Sequence, residues 1–257
     1  MAAPRKRTVK RFGWQPDLPD QRDFAYRVPR RTAAALPPRV DLRPQMPAVY
    51  DQGQLGSCTA NAIGGAFEFE MLKQKEPDFV PSRLFIYYNE RVIERTVNED
   101  SGAQLRDGMK TLAHQGVCPE PTWPYVISRF ATKPTAECYA EAKQHLGVTY
   151  MRVDQDVAQM RGCLAAGYPF IFGFTVYESF ESDAVSRTGN VPMPNGDERT
   201  LGGHAMCAVG YDNPKKLIIV RNSWGPDWGK KGCGTMPYAY FTNTDLAADF
   251  WTLRAVS

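Results

Sequence analysis

Residues 52–73 read QGQLGSCTANAIGGAFEFEMLK: a loop punctuated by Gly53 and Gly56, then a cysteine, then a helical period. Ala62, Ile63, Ala66, Phe67 and Met71 recur at steps of three and four, which predicts a helix from about Cys58 to Lys73 with one apolar face. Gly64 and Gly65 inside it cost up to about 1 kcal/mol each against alanine, so a neighbour is expected to pack very close there. Cys58 sits where helix N–H groups and the macrodipole favour a thiolate. A small buried core residue is the commonest fate of a free cysteine; the glycine-rich loop argues instead for partial exposure.

Working outward, Ser82 is a reasonable N-cap for a helix to about Arg95. Leu105, Met109, Leu112 and Ala113, stopped by Gly116, predict another, and Val157, Met160 and Leu164, stopped by Gly167, a fourth. After Gly167 the pattern changes. Residues 169–177, 205–211, 215–221 and 234–241 read as strands, with Asn213-Pro214 as a turn. Helices in front and strands behind predict an α+β fold of two lobes with a cleft between them.

A chain of 257 residues suits one large domain or two close-packed lobes. The hydrophobic share of 43% and charged share of 23% exclude disordered, collagen-like and coiled-coil classes. Apolar runs fall far short of the roughly 20 residues that span a bilayer, and the basic start lacks an apolar signal region. A soluble, by default cytoplasmic, protein with no membrane partner is expected. Of the net charge of +3, residues 1–31 supply +6, so the body is slightly acidic. No aromatic-studded basic groove follows that arm, and no nucleic-acid partner is expected. Residues 1 to about 35 read as a Pro- and Arg-rich extension, and Leu36-Pro37-Pro38 marks a boundary. The six cysteines, Cys58, Cys118, Cys138, Cys163, Cys207 and Cys233, lie far apart with no zinc-ligand spacing, so neither metal nor cofactor is expected. Reduced, buried thiols are the default; pairing of Cys118 with Cys138 or of Cys207 with Cys233 stays open.

Of three histidines, His114 and His145 read as exposed, whereas His204 follows Gly202-Gly203 at the mouth of an apolar strand. By position alone a structural histidine is the better reading of His204. Four segments together change that. Asp51-Gln52-Gly53-Gln54-Leu55-Gly56-Ser57-Cys58, Gly203-His204-Ala205-Met206-Cys207-Ala208-Val209-Gly210-Tyr211, Arg221-Asn222-Ser223-Trp224-Gly225-Pro226-Asp227-Trp228-Gly229 and Leu36-Pro37-Pro38-Arg39-Val40-Asp41-Leu42-Arg43 stand in this chain in the order of the papain-like cysteine peptidases. They resemble that family's nucleophile loop, histidine strand, asparagine loop and mature start. His204 lies 146 and Asn222 164 residues after Cys58, near the family's spacing.

The resemblance implies a papain-like two-lobe fold. A helical lobe would span about 50–150 and a β-barrel-like lobe about 151–257, within a peptidase domain of 36–257, with the site in the cleft. It implies Cys58 as nucleophile with a lowered pKa, His204 as proton carrier, Asn222 as its orienting partner, Gln52 with the Cys58 N–H as oxyanion hole, and Trp224 as shield of the His–Asn bond. Gly56, Gly102 and Gly203 are subsite positions, where bare backbone meets an extended peptide. Departures exist: Leu55 replaces a disulfide cysteine, Thr59 an aromatic, and the glycine- and cysteine-rich wall is reduced to Asp100-Ser101-Gly102-Ala103. The family's apolar specificity pocket therefore does not carry over. Residues 178–203 read as a loop that either reaches the cleft or stays a surface loop.

The expected activity is hydrolysis of peptide bonds in a peptide or protein substrate through a Cys58 thioester. An amidase, exopeptidase or acyl or peptidyl transferase would use the same triad, and an inactive papain-fold peptide-binding protein is a third reading. The 1–35 extension is read either as a zymogen strap in the cleft, removed near 33–36, or as an arm that simply packs on the body.

Overall fold

The computed structural model describes residues 12–29 and 35–257. The basic residues 5–11, the pair at 30–31 and the first half of the expected junction at 33–36 lie outside the described residues. In chain order, β1 (Trp14–Gln15) and β2 (Ala25–Tyr26) come from the arm, and β3 (Arg39–Asp41) follows it. The helical half is α1 (Cys58–Gln74), α2 (Arg83–Glu94), β4 (Ala103–Gln104), α3 (Leu105–His114) and α4 (Ala136–Ala142). The strand half holds β5 (Thr149–Val153), α5 (Val157–Ala165), β6 (Phe170–Tyr177), α6 (Asp183–Thr188), β7 (Thr200–Asp212), β8 (Leu217–Arg221), β9 (Cys233–Pro237), α7 (Tyr238–Thr242) and β10 (Ala247–Ala255).

The expected single apolar face of α1 is corrected. Every residue from Cys58 to Met71 is buried, Glu68 and Glu70 included, because α1 runs between β7 and β10 on one side and α2 and α3 on the other. Arg83 and Tyr50 fill the space a side chain would take at Gly64, within 3.3 to 3.6 Å of an added Cβ. Ser82 caps α2 as expected, its Oγ accepting from Phe85 N at 3.2 Å.

The large sheet runs β2-β5-β10-β6-β7-β8-β9, with β3 paired to β7. Among the described residues this is an open sheet, not the closed form that barrel-like suggests. Three alternate phenylalanines of β6, Phe170, Phe172 and Phe174, are fully buried, and Phe172 meets Phe241 at 4.7 Å and stacks on Phe250 at 6.2 Å. The strand expected over 234–241 is cut short at Pro237, which caps α7; proline has no N–H to continue the ladder.

The described part of the arm is no loose extension. β1 pairs in parallel with β4, β2 with β5, and Trp14 and Val28 are buried. His114 is exposed as expected, but His145 is half-buried against Phe79, ring centroids 4.5 Å apart.

Candidate active site

Cys58 opens α1 and is fully buried, against the expectation of partial exposure. The backbone of Ala205, Gly13 and Thr59 favours its thiolate, yet burial outweighs them and pushes its pKa up to about 12. The helix start alone does not produce the lowered pKa expected, because the thiol is cut off from water.

His204, also buried, lies on β7 opposite Phe174 of β6. Its Nε2 is 2.8 Å from Asn222 Oδ1, on the loop after β8. Asn222 is itself held: its N–H donates to Gly232 O at 2.9 Å, and its Oδ1 also accepts from Ser223 N at 2.8 Å. The Trp224 ring lies 5.0 Å from the imidazole at an interplanar angle of 35°, and Phe180 meets Trp224 at 5.4 Å. Apolar rings thus keep water from the His204–Asn222 bond. Phe180 also lies 6.1 Å from His204, so the 178–203 stretch does reach the cleft, through a helical turn and α6 rather than as plain loop.

Gln52 is tied to the opposite half. Its N–H donates to Ser223 O at 2.8 Å, its Oε1 accepts from Ser223 Oγ at 2.6 Å, and its Nε2 donates to Leu55 O at 3.0 Å. Since the Leu55 carbonyl can only accept, the amide is oriented with Nε2 toward the loop before Cys58. Asp100 braces that loop, accepting Gly56 N at 3.0 Å and the Tyr87 hydroxyl at 2.6 Å; Tyr87 in turn accepts Gly102 N at 3.1 Å.

Across this site runs the arm. Gly13 O accepts Ala103 N at 2.7 Å, and Gln15 Nε2 donates to Ser101 O at 2.7 Å. A Cβ on Gly13 would meet Gly56 O at 1.7 Å, one on Gly102 would meet Gly13 O at 2.2 Å, and one on Gly203 would meet Trp14 O at 2.4 Å. The three glycines singled out in the sequence therefore all lie against arm backbone. Phe12 adds a ring 6.2 Å from that of His204.

The family model described as "Papain family cysteine protease" matches residues 36–247. This chain belongs to the papain family. It is 43% identical to an uncharacterised peptidase C1-like protein of Acanthamoeba polyphaga mimivirus, over 97% of this chain and 89% of that one. It is 30% identical to a cathepsin B-like protein of Giardia intestinalis, over 80% and 71%. The crystal structure of xylellain, a cysteine protease from Xylella fastidiosa, superposes with a TM-score of 0.91 at 45% identity, covering 100% of both chains. The protein is a cysteine peptidase of papain-like α+β fold.

Family departures are filled locally. Thr59 donates to Glu90 Oε2 at 2.9 Å, tying the start of α1 to α2, and burial holds Glu90 well above the usual carboxylate range. Leu55 is buried where a disulfide would stand, and all six cysteines are free thiols. Sequence reasoning missed Ser223, although it lies inside the quoted Asn-Ser-Trp-Gly motif. It also missed Trp14 and Asp249, for which no local signal exists.

Proposed function

We propose that Cys58, His204, Asn222 and Gln52 carry peptide hydrolysis, and that residues 1–35 act as a strap across the cleft of a 36–257 peptidase domain. The observation that carries this is the 2.8 Å contact of His204 Nε2 with Asn222 Oδ1 on the strand side, with Cys58 at the start of the helix that packs against His204's own strand, β7.

Nδ1 of His204 takes the thiol proton, and the thiolate attacks the scissile carbonyl carbon. The resulting oxyanion accepts the Cys58 backbone N–H and an N–H of Gln52 Nε2. As the C–N bond breaks, the imidazolium gives its proton to the leaving amine, and a thioester remains. Water then attacks the thioester, His204 takes its proton, and the acid leaves Cys58 as thiol. Asn222 keeps the ring oriented throughout, and Trp224 shields their bond.

The arm lies in the same cleft without offering a carbonyl carbon to the sulfur. The Gly13 carbonyl is turned to Ala103, accepting its N–H at 2.7 Å. Running a strand the other way exchanges N–H and C=O positions, so a peptide antiparallel to β4 would present its carbonyl where the arm, parallel to β4, does not. Gly56, Gly102 and Gly203 would then line that peptide. The reducing interior of a cell is the proposed setting, supported by six thiols of which none is joined to another.

Intact mass after brief exposure to an epoxide-type thiol inactivator tests both parts, on the full-length wild type, Cys58→Ala and Trp14→Ala. One adduct is expected, absent in Cys58→Ala and formed fastest in Trp14→Ala. An adduct that persists in Cys58→Ala removes the nucleophile assignment; equal rates for wild type and Trp14→Ala remove the strap.

A further inference from the structure

We propose that Tyr125 is a positioning residue for peptide hydrolysis: its hydroxyl joins Gln52, whose side chain supplies one oxyanion donor, to Ser57, whose peptide link to Cys58 carries the other. The inference rests on the reading of Gln52 Nε2 and the Cys58 N–H as the oxyanion hole.

The hydroxyl stands between two buried residues. Tyr125 Oη donates to the Gln52 backbone O at 2.9 Å and lies 2.5 Å from Ser57 Oγ. Its proton is committed to a carbonyl, which can only accept, so Ser57 is the donor of the second bond. The same logic runs back to a cation. Arg83 only donates, so Asn61 turns Oδ1 to Arg83 Nη1 at 3.1 Å. Its Nδ2 then faces Ser57, 2.8 Å from the carbonyl O and 3.1 Å from Oγ. Every bond from Arg83 through Asn61, Ser57 and Tyr125 to Gln52 therefore has one direction.

That chain starts from a fixed point. Arg83, the first residue of α2, donates to both carboxylate oxygens of Glu120, at 2.9 and 2.8 Å. Its guanidinium lies over the rings of Tyr125 and Tyr50, 4.2 and 4.6 Å from their centroids. Ser82 Oγ donates to Trp123 O at 2.7 Å, which anchors the loop that carries Tyr125. Burial raises the Tyr125 pKa above its ordinary 10.0, so the hydroxyl keeps its proton. At the far end, one Nε2 hydrogen of Gln52 goes to Leu55 O, which leaves the second for an oxyanion. The strand half holds Gln52 through Ser223, and the helical half holds it through Tyr125. An oxyanion donor needs such bracing, because it works only within about 0.5 Å of its productive place.

The test is a mutant cycle in the full-length Trp14→Ala chain, on the best-cleaved member of a set of fluorogenic dipeptide amides. Tyr125→Phe keeps the ring beside Arg83 and removes only the hydroxyl. It is expected to lower kcat about tenfold with KM little changed. Binding of the matching peptide aldehyde, whose adduct with Cys58 carries the oxyanion, should weaken by about the same factor. Reaction of Cys58 with dipyridyl disulfide occurs at sulfur and forms no oxyanion, so its rate should stay within about twofold of the parent. In the Gln52→Ala background, adding Tyr125→Phe should cost no more than about twofold, since the donor it positions is gone. Ser57→Ala cuts the chain one link earlier and is the second variant, expected to lower kcat severalfold with the disulfide reaction unmoved. A full Tyr125→Phe effect in Gln52→Ala, an equal loss in the disulfide reaction, or turnover unchanged in both Tyr125→Phe and Ser57→Ala overturns the proposal. Turnover left intact by Gln52→Ala removes the oxyanion reading and the proposal with it, whereas a large Gln52→Ala effect beside a silent Tyr125→Phe removes only the role of Tyr125.

Discussion

The two sides of the cleft are in different states. On the sheet side, His204 and Asn222 are bonded at 2.8 Å, ringed by Trp224 and Phe180. On the helical side, Cys58 lies under Gly13 with its pKa pushed up to about 12. One side is assembled and the other is covered. The difference teaches that the orientation of the histidine–asparagine pair is built into the body of the fold, whereas burial opposes ionisation of the thiol. The arm, for its part, is held mostly away from the chemistry. Asp17 Oδ1 accepts Arg106 N at 3.0 Å, Trp251 Nε1 donates to Asp17 Oδ2 at 2.8 Å, and Asp23 receives Arg106 at 2.6 Å and Arg152 at 3.2 Å.

The comparison breaks first if the assembled side is not needed. In the Trp14→Ala chain, Gln52→Ala is expected to lower kcat by about 10²–10³, because one oxyanion donor is lost; near-full turnover would show that Gln52 is only the brace to Ser223. Next comes the anchor. Arg106→Met keeps the stem of a buried side chain but leaves Asp23 without its closest cation, and breaking a buried pair costs about 3 kcal/mol or more. Inactivator labelling of Cys58 in the otherwise intact chain should then accelerate about 10²-fold. An unchanged rate would place the arm's grip at Trp14 alone.

The smallest effect is a pH dependence. Burial, then the charge of Asp249, raise the pKa of Asp17 from 3.8 to about 6, against the lowering influence of Arg106 and the Trp251 N–H, with Arg152 4.0 Å away. A carboxyl whose pKa is higher docked than free favours docking in full below the free value and loses that advantage as pH rises through the docked one. The Cys58 labelling rate of wild type relative to Asp17→Asn should therefore climb about tenfold from about pH 5 to about pH 7. The ratio cancels titration of the Cys58–His204 pair itself; a flat ratio would mean that Asp17 does not control the arm.

Much of the site was legible because its signals are local. A glycine-punctuated loop, a helix start and the Asn-Ser-Trp-Gly run are each read within a few residues, and the four α-helices starting at Cys58, Arg83, Leu105 and Val157 carry caps or periods of their own. β5 and β10 were not legible. Thr149–Val153 is only half-buried and alternates weakly, and Ala247–Ala255 is broken by the bulge at Asp249. Their pairing energy comes from strands far away in sequence, and a period-2 reading has nothing to register there. Burial all round α1 was equally hidden, since Glu68 and Glu70 look like a solvated face. In the fold, Glu68 meets the Tyr50 hydroxyl, and burial pushes both carboxyls up to about 7.

By itself the amino-acid sequence singled out the candidate set and its order along the chain: Cys58, His204, Asn222 and Gln52 stand out through the resemblance of four segments to the papain-like family, and the α+β division follows from hydrophobic period. Only the tertiary structure decided that the thiol is buried, that the arm pairs in parallel with β4 and β5, and that Trp14 reaches Asp249. Those outcomes depend on contacts between residues more than 230 positions apart, such as Trp14 with Asp249. They exist only where desolvation and backbone pairing act together, and neither is written in any local stretch of chain.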